Sequence, residues 1–187
     1  NRKIDRGITG INQALIEYTF KLLYNSIDIE DSSDKILETI GKEFNVSRVY
    51  IFDNTSDDNY CSNTYEWCNE GIIPQKDSLQ NISFITDIPN YLDNFNEQGI
   101  FYCQDISHLK EEHYKILESQ NIKSVLQCAI TENGKIKGFL GFDECNSNRL
   151  WQQENIDNLI YISEIVSTFL LKKKAQERAI QESQNLK

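Results

Sequence analysis

Methionine is absent from all 187 residues, position 1 included, and proline and histidine occur only twice each. A chain without an initiator residue is expected to be a piece of a longer protein, so its function is read as that of one module. The scarcity of histidine argues against a metal centre. His108 and His113 lie five apart, on different faces of any helix, unlike the i, i+4 pair of a zinc site, and both are expected at the surface. No apolar run reaches the roughly 18 to 20 residues a membrane-spanning helix needs, and no basic-then-apolar signal sequence opens the chain.

Basic residues are also in short supply. Nineteen Lys and Arg against 29 Asp and Glu leave a formal charge of −10 and a pI near 4.7. Phosphate neutralisation needs a basic patch, so nucleic acid and anionic membranes are not expected partners. The one basic run, Lys172, Lys173 and Lys174, has acidic neighbours on both sides and reads as a solvated helix face. Five cysteines, an odd number, show no C-x-x-C spacing. They suit a reducing cytosol, as small core hydrophobes, and the expected location is cytoplasmic. The glycines of 134–141 neither open a helix nor end in Gly-Lys-Ser/Thr, so they do not form a phosphate loop. No Ser, His and Asp set has catalytic spacing, and Asp143-Glu144 reads as a solvated strand end.

What is present is organised around one hairpin. The runs 124–131 and 135–144, rich in Val, Leu, Ile and Phe, flank Asn133-Gly134, a pair suited to the positive φ angles of a tight turn. Val125 and Ala129 point one way, Leu126, Cys128 and Ile130 the other, and Phe139 and Phe142 also oppose each other. Strands apolar on both faces are covered on both faces, which places the hairpin in the middle of a layered α+β domain.

In chain order, residues 1–10 read as a polar linker. Ile11, Ala14, Leu15, Tyr18 and Leu22 mark a first helix, 28–33 an acidic loop, and Ile36, Leu37, Ile40 and Phe44 a second helix beginning near Asp34. Strands follow at 48–53 and 60–67. The stretch 75–98, with Pro89, is expected as short irregular pieces laid over the sheet, where a pocket would lie. A third strand at 99–106 and a charged helix at 109–120 precede the hairpin. After it, Trp151 and Ile156 have the spacing of a hydrophobic staple, with Gln152 as the cap of a long helix. Its apolar band runs through Leu159, Ile162, Val166 and Leu170, and from Lys172 to the end the period fades into a helical extension.

This order, with S-V-L-Q-C-A-I-T-E-N-G-K-I-K-G-F-L-G-F-D and then N-R-L-W-Q-Q-E-N-I-D-N-L, resembles a GAF domain of a bacterial multidomain signalling protein. The modules it is most similar to stand beside PAS, GGDEF, EAL or histidine kinase domains. The resemblance spans 11–171. It rests on Gly134, Gly138, Leu140 and Gly141, on the aromatic Trp151 before the last helix, and on Ile156 and Leu159. It implies a GAF/PAS-like central antiparallel sheet with the first and last helices on one face and a ligand pocket on the other. It also implies a homodimer through the terminal helices, which relay the pocket's state to an output domain. The N-K-F-D type motif of cyclic-nucleotide-binding GAF domains and the bilin attachment context of phytochromes are both missing, and the cofactor is left unassigned.

The expected function is therefore a non-catalytic sensor for an unknown small molecule or a redox or metabolic cue. The alternatives are a dimerisation and spacer module with a vestigial pocket and, through Cys103 and Cys128, a GAF-type free methionine sulfoxide reductase. A nucleophilic thiol needs a lowered pKa, and no cation stands beside either cysteine in the sequence. The side chains expected to line the pocket are Tyr65, Trp67, Phe84, Tyr91, Gln104 and Gln127. Gln127 stands out, because a glutamine inside an apolar strand must find hydrogen-bond partners if buried.

Overall fold

The structure, a computed structural model, describes residues 12–25 and 29–187. The linker expected over 1–10, Ile11 and Asp28 lie outside these. Helix α1 (Gln13–Tyr24) is capped by Asn12, whose side chain accepts a hydrogen bond from the Leu15 N–H at 3.0 Å, satisfying one of the orphan donors of the first turn. It buries Leu15, Thr19 and Leu23.

Helix α2 (Ile29–Phe44) starts earlier than the sequence reading has it. The loop expected up to residue 33 is helical from Ile29. Ser32 and Ser33, residue types common in loops, are buried, and the Ser32 hydroxyl reaches Leu22 O of α1 at 3.5 Å. A hydroxyl bonded to backbone is as compatible with a packed helix as with a turn.

The sheet contains β1 (Arg48–Asn54), β2 (Tyr60–Cys68), β3 (Ile82–Ser83), β4 (Ile100–Cys103), β5 (Ser124–Glu132) and β6 (Lys135–Glu144), in the order β3-β2-β1-β6-β5-β4. Every adjacent pair is antiparallel. The β5–β6 hairpin turns on Asn133 and Gly134, with φ of 52° and 76°, the left-handed pair that matches strand twist in a two-residue loop.

Both faces of the sheet are covered, as the hairpin's lack of alternation requires. Val49, Ile51, Leu126, Cys128, Ile130, Leu140 and Phe142 pack with α1, α2 and α4 (Gln153–Asn185) into one core. Tyr50, Phe52, Phe101, Cys103, Val125 and Phe139 face a second core, under the 3-10 turns Lys76–Ser78 and Tyr91–Asn94 and helix α3 (Glu111–Glu118). Helix α4 begins where the Asn155 side chain accepts from the Gln152 N–H at 3.1 Å. It lays Leu159, Ile162, Val166 and Leu170 on the sheet, then continues without a break past residue 171, its last turns fully exposed. Among the described residues no helix is long and apolar enough to cross a membrane.

Candidate functional site

Two rows of residues cross the second face of the sheet. In one, Arg48 on β1 pairs in register with Asp143 on β6, and Asp143 with Val125 on β5. In the other, Glu66 (β2), Tyr50 (β1), Gly141 (β6), Gln127 (β5) and Phe101 (β4) stand side by side. Gly141 has no side chain to lift its neighbours apart, so the Tyr50 hydroxyl and the Gln127 amide meet above it. Gln127 Nε2 donates to Tyr50 Oη at 2.8 Å, and Tyr91 Oη donates to Gln127 Oε1 at 2.9 Å. A buried glutamine thus finds two tyrosines, one from the sheet and one from the covering segment.

The ion pair is as deeply placed. Arg48 Nη1 lies 3.1 Å from Asp143 Oδ2, with side-chain exposures of 1% and 2%. The other guanidinium nitrogens are committed to backbone, Nη2 to Gln120 O at 2.9 Å and Nε to Ile73 O at 3.1 Å. Burial pushes the Asp143 carboxyl up to about 6, against the pull of the Arg48 charge. Burial, reinforced by the Asp143 charge, also holds the Tyr50 hydroxyl well above its ordinary range. The solvated strand end expected at Asp143-Glu144 is therefore replaced by two buried carboxylates. Glu144 accepts from Ser47 Oγ at 3.0 Å and pairs with Arg149 at 3.3 Å.

Between these rows and the cover lies a cavity of about 40 Å³, lined by Tyr50, Asn63, Glu66, Tyr91, Gln120, Gln127 and Asp143 among apolar neighbours such as Ile88 and Phe139. Asn63 Oδ1 and Asp143 Oδ1 are buried there and make no hydrogen bond among the described residues. Leaving such acceptors unpaired costs about 1–3 kcal/mol each, more when the group is charged. Glu66 is spent differently: its carboxylate accepts the backbone N–H groups of Gln75 and Lys76 at 3.0 and 3.2 Å and holds the first 3-10 turn in place.

The candidates read from sequence divide. Tyr91 and Gln127 line the cavity, and Phe84 packs at the edge of the same core. Tyr65 and Trp67 belong to the helix-side core. The cause is a bulge in β2: Ile51 pairs with Tyr65 but Phe52 with Asn63, so Thr64 is an extra residue. An added residue reverses strand parity, leaving Cys61 and Asn63 toward the cavity and sending Tyr65 and Trp67 to the other face. The Trp67 ring then lies on α2 at Gly41, where a β-carbon would stand 2.0 Å from it. Gln104 is exposed, just beyond the end of β4.

Other side chains also depart from expectation. His113 is buried at 1% exposure and pins the cover, its Nε2 2.9 Å from Pro89 O and its Nδ1 3.1 Å from Asn94 Nδ2; His108 is at the surface. Lys174 is not merely solvated, since it pairs with Asp53 at 2.8 Å. Cys103 and Cys128 face opposite cores, and burial pushes both thiols up, the reverse of what a nucleophile needs. No group of three or more metal-ligating side chains occurs among the described residues. Arg48, Tyr50, Asn63 and Asp143 escaped the sequence reading; the only signal was a polar residue within each apolar strand, which is ambiguous until partners are known.

No protein-family model matches the sequence. A similar protein is the methanogenesis regulatory histidine kinase FilI of Methanothrix harundinacea, 28% identical over 173 residues; the match covers 83% of this chain but spans only 19% of the kinase's length. Among solved structures, the phycoerythrobilin-bound GAF domain of a cyanobacterial phytochrome superposes with a TM-score of 0.74 at 12% identity, covering 88% of this chain and 97% of that one. The GAF domain of the cyanobacteriochrome TePixJ superposes with a TM-score of 0.67 at 17% identity, covering 80% and 93%. With its six-stranded antiparallel sheet and helices packed on one face, this chain has the fold of these GAF domains.

Proposed function

We propose that this chain is a non-catalytic sensor domain that binds a small molecule between the sheet and the 76–98 cover and relays its occupancy along the terminal helices to a signalling output domain. The observation that carries this reading is the pair of buried, unpartnered acceptors, Asn63 Oδ1 and Asp143 Oδ1, on the wall of one cavity. A core built only for stability pairs its polar groups. The similarity to a stretch of a histidine kinase supports a kinase as the output. The exposed course of α4 beyond residue 171 suits a parallel pairing with the same helix of a second copy. The mechanism is a population shift, in which the ligand acts only through its different affinities for two packings of those helices.

The structural neighbours hold bilins, but a cavity of about 40 Å³ is far below the roughly 300–1,000 Å³ of sites for drug-sized ligands. Either the ligand is compact or the cover moves outward to admit it. The same small volume, with Tyr91 and Phe139 packed against each other at 6.1 Å, favours the second reading, a dimerisation and spacer module whose pocket is filled by its own side chains.

A thermal-shift screen of the chain against amino acids, amines, nucleotides, cyclic mono- and dinucleotides and bilins separates the two. A ligand at 100 times its Kd adds about 2.7 kcal/mol, worth several degrees in a domain of this size. A saturable shift supports the sensor; silence across the set, with the protein folded, supports the spacer.

A further inference from the structure

The polar wall of the cavity is lopsided, and the imbalance selects a ligand. Its two unsatisfied atoms, Asn63 Oδ1 and Asp143 Oδ1, are both acceptors, on side chains 1% and 2% exposed. The nitrogen donors nearby each have a partner already. Each guanidinium nitrogen of Arg48 has a protein partner, Asn63 Nδ2 is 3.3 Å from Glu66 Oε2, and Gln120 Nε2 donates to Ile116 O at 3.1 Å. The Tyr50 hydroxyl, which accepts from Gln127 Nε2, stands close enough to the Asp143 carboxyl to favour its ionised form, but its geometry falls short of a hydrogen bond to Oδ1.

Charge points the same way. Two carboxylates line the cavity, Asp143 and Glu66, and among the described residues no lysine, arginine or histidine does; Arg48, in contact with Asp143, balances only one of them. An anionic ligand would meet no free cationic donor and would place its charge beside two of its own sign in a low-dielectric site. A ligand with N–H donors would complete both acceptors and neutralise the excess. The volume, about 40 Å³, is that of about three water-sized spheres, since one water needs roughly 10–15 Å³ on the same measure.

We infer that the cavity binds a compact N–H-donor cation of the small amidinium or alkylammonium class, held between Asn63 Oδ1 and Asp143 Oδ1, and rejects carboxylates and phosphates. This rests on the sensor reading of the same cavity and goes beyond it in naming the ligand's chemistry. The bound cation takes the place of the water that would otherwise solvate the two oxygens, while its carbon atoms lie against Ile88 and Phe139.

Acetamidinium, acetamide and acetate have nearly the same shape and differ in charge, so they test the inference directly. Titrations of the chain by calorimetry and by NMR, with ethylammonium as a second cation, should give a Kd of about 0.1–1 mM for the cations, near the ceiling for so few atoms. Acetamide should bind at least about threefold more weakly, and acetate should not bind measurably. Asn63→Leu leaves the Arg48–Asp143 pair intact and should weaken acetamidinium at least about tenfold, as should Asp143→Asn if circular dichroism shows it folded. Acetate binding as well as acetamidinium would overturn the ligand class and leave a sensor. Cation binding unchanged in a folded Asn63→Leu protein would overturn the site. No binding by any of the four, together with silence in the wider screen, would overturn both the inference and the sensor reading.

Discussion

The ring of Tyr50 lies across the backbone of Gly141, so close that a β-carbon at position 141 would stand 2.7 Å from the ring's Cε2, Cζ and hydroxyl oxygen. This contact lets the hydroxyl reach Gln127 and so joins β1, β5 and the cover through Tyr91. Gly141→Ala should therefore displace Tyr50 and cost about 1–3 kcal/mol through overpacking. Urea unfolding monitored by tyrosine fluorescence measures it, and the same variant should weaken any ligand of the cavity.

The Arg48–Asp143 pair should show the asymmetry of buried ion pairs. Arg48→Met alone strands a buried carboxylate and leaves Gln120 O and Ile73 O without their donor, at a cost of about 3–5 kcal/mol. The double variant Arg48→Met with Asp143→Leu should recover most of that loss in a denaturation experiment, because neither member of the pair is left as an uncompensated buried charge.

Cation binding should depend on pH in a defined direction. Arg48 and Tyr50 from β1, Glu66 from β2, Tyr91 of the cover and Cys145 beyond β6 are the titratable groups that bear on Asp143. The free carboxyl titrates near 6, raised by burial, and a bound cation favours its ionised form. Affinity for acetamidinium should be flat above pH 7 and fall about tenfold per unit below about pH 6, as the proton competes with the ligand. Titrations between pH 5 and 8 give the slope.

The proposed relay to α4 has a polar contact to run through. Asp53 accepts from Thr64 Oγ1 at 2.8 Å, at the bulge beside Asn63, and pairs with Lys174 Nζ at 2.8 Å. Both ends of this pair are partly solvated, so Lys174→Gln should change stability by no more than about 1 kcal/mol. It should nevertheless shrink any ligand-dependent change in amide exchange over residues 172–185, measured by mass spectrometry with and without acetamidinium.

His113 should carry a proton on Nε2. Pro89 O can only accept, so Nε2 carries the proton. The amide of Asn94 is oriented by donating to Tyr91 O at 2.8 Å, and its nitrogen also faces Nδ1, which must accept. Long-range ¹H–¹⁵N correlations at neutral pH report the tautomer directly. His113→Ala should loosen the cover, seen as faster amide exchange at residues 89–95.

The architecture was legible because its signals are local. Asn133-Gly134 dictates a tight turn whatever surrounds it, and a hairpin with Leu126 and Val125 on opposite faces has to be sandwiched. Residues 156–170 carry a helical apolar band that needs a sheet to cover. The start of α2 was misplaced because Ser32 and Ser33 are ambiguous as a pair of residue types, and only burial against α1 resolves them.

The site obeys a different logic. Gln127 and Tyr91 could be chosen from the sequence, since a polar group in an apolar run needs a partner, but the partner's identity depends on register. One inserted residue at Thr64 turned Tyr65 and Trp67 away from the cavity and brought Asn63 and Glu66 to it. Asp143 became a buried half-satisfied carboxylate because Arg48, 95 positions away in the chain, is its cross-strand neighbour. Periodicity and turn chemistry, which act over a few residues, are written in the chain itself and settled the layers. Strand register, a bulge and the pairing of distant charges exist only once the sheet has closed, and these set which side chains face the cavity and what it can hold.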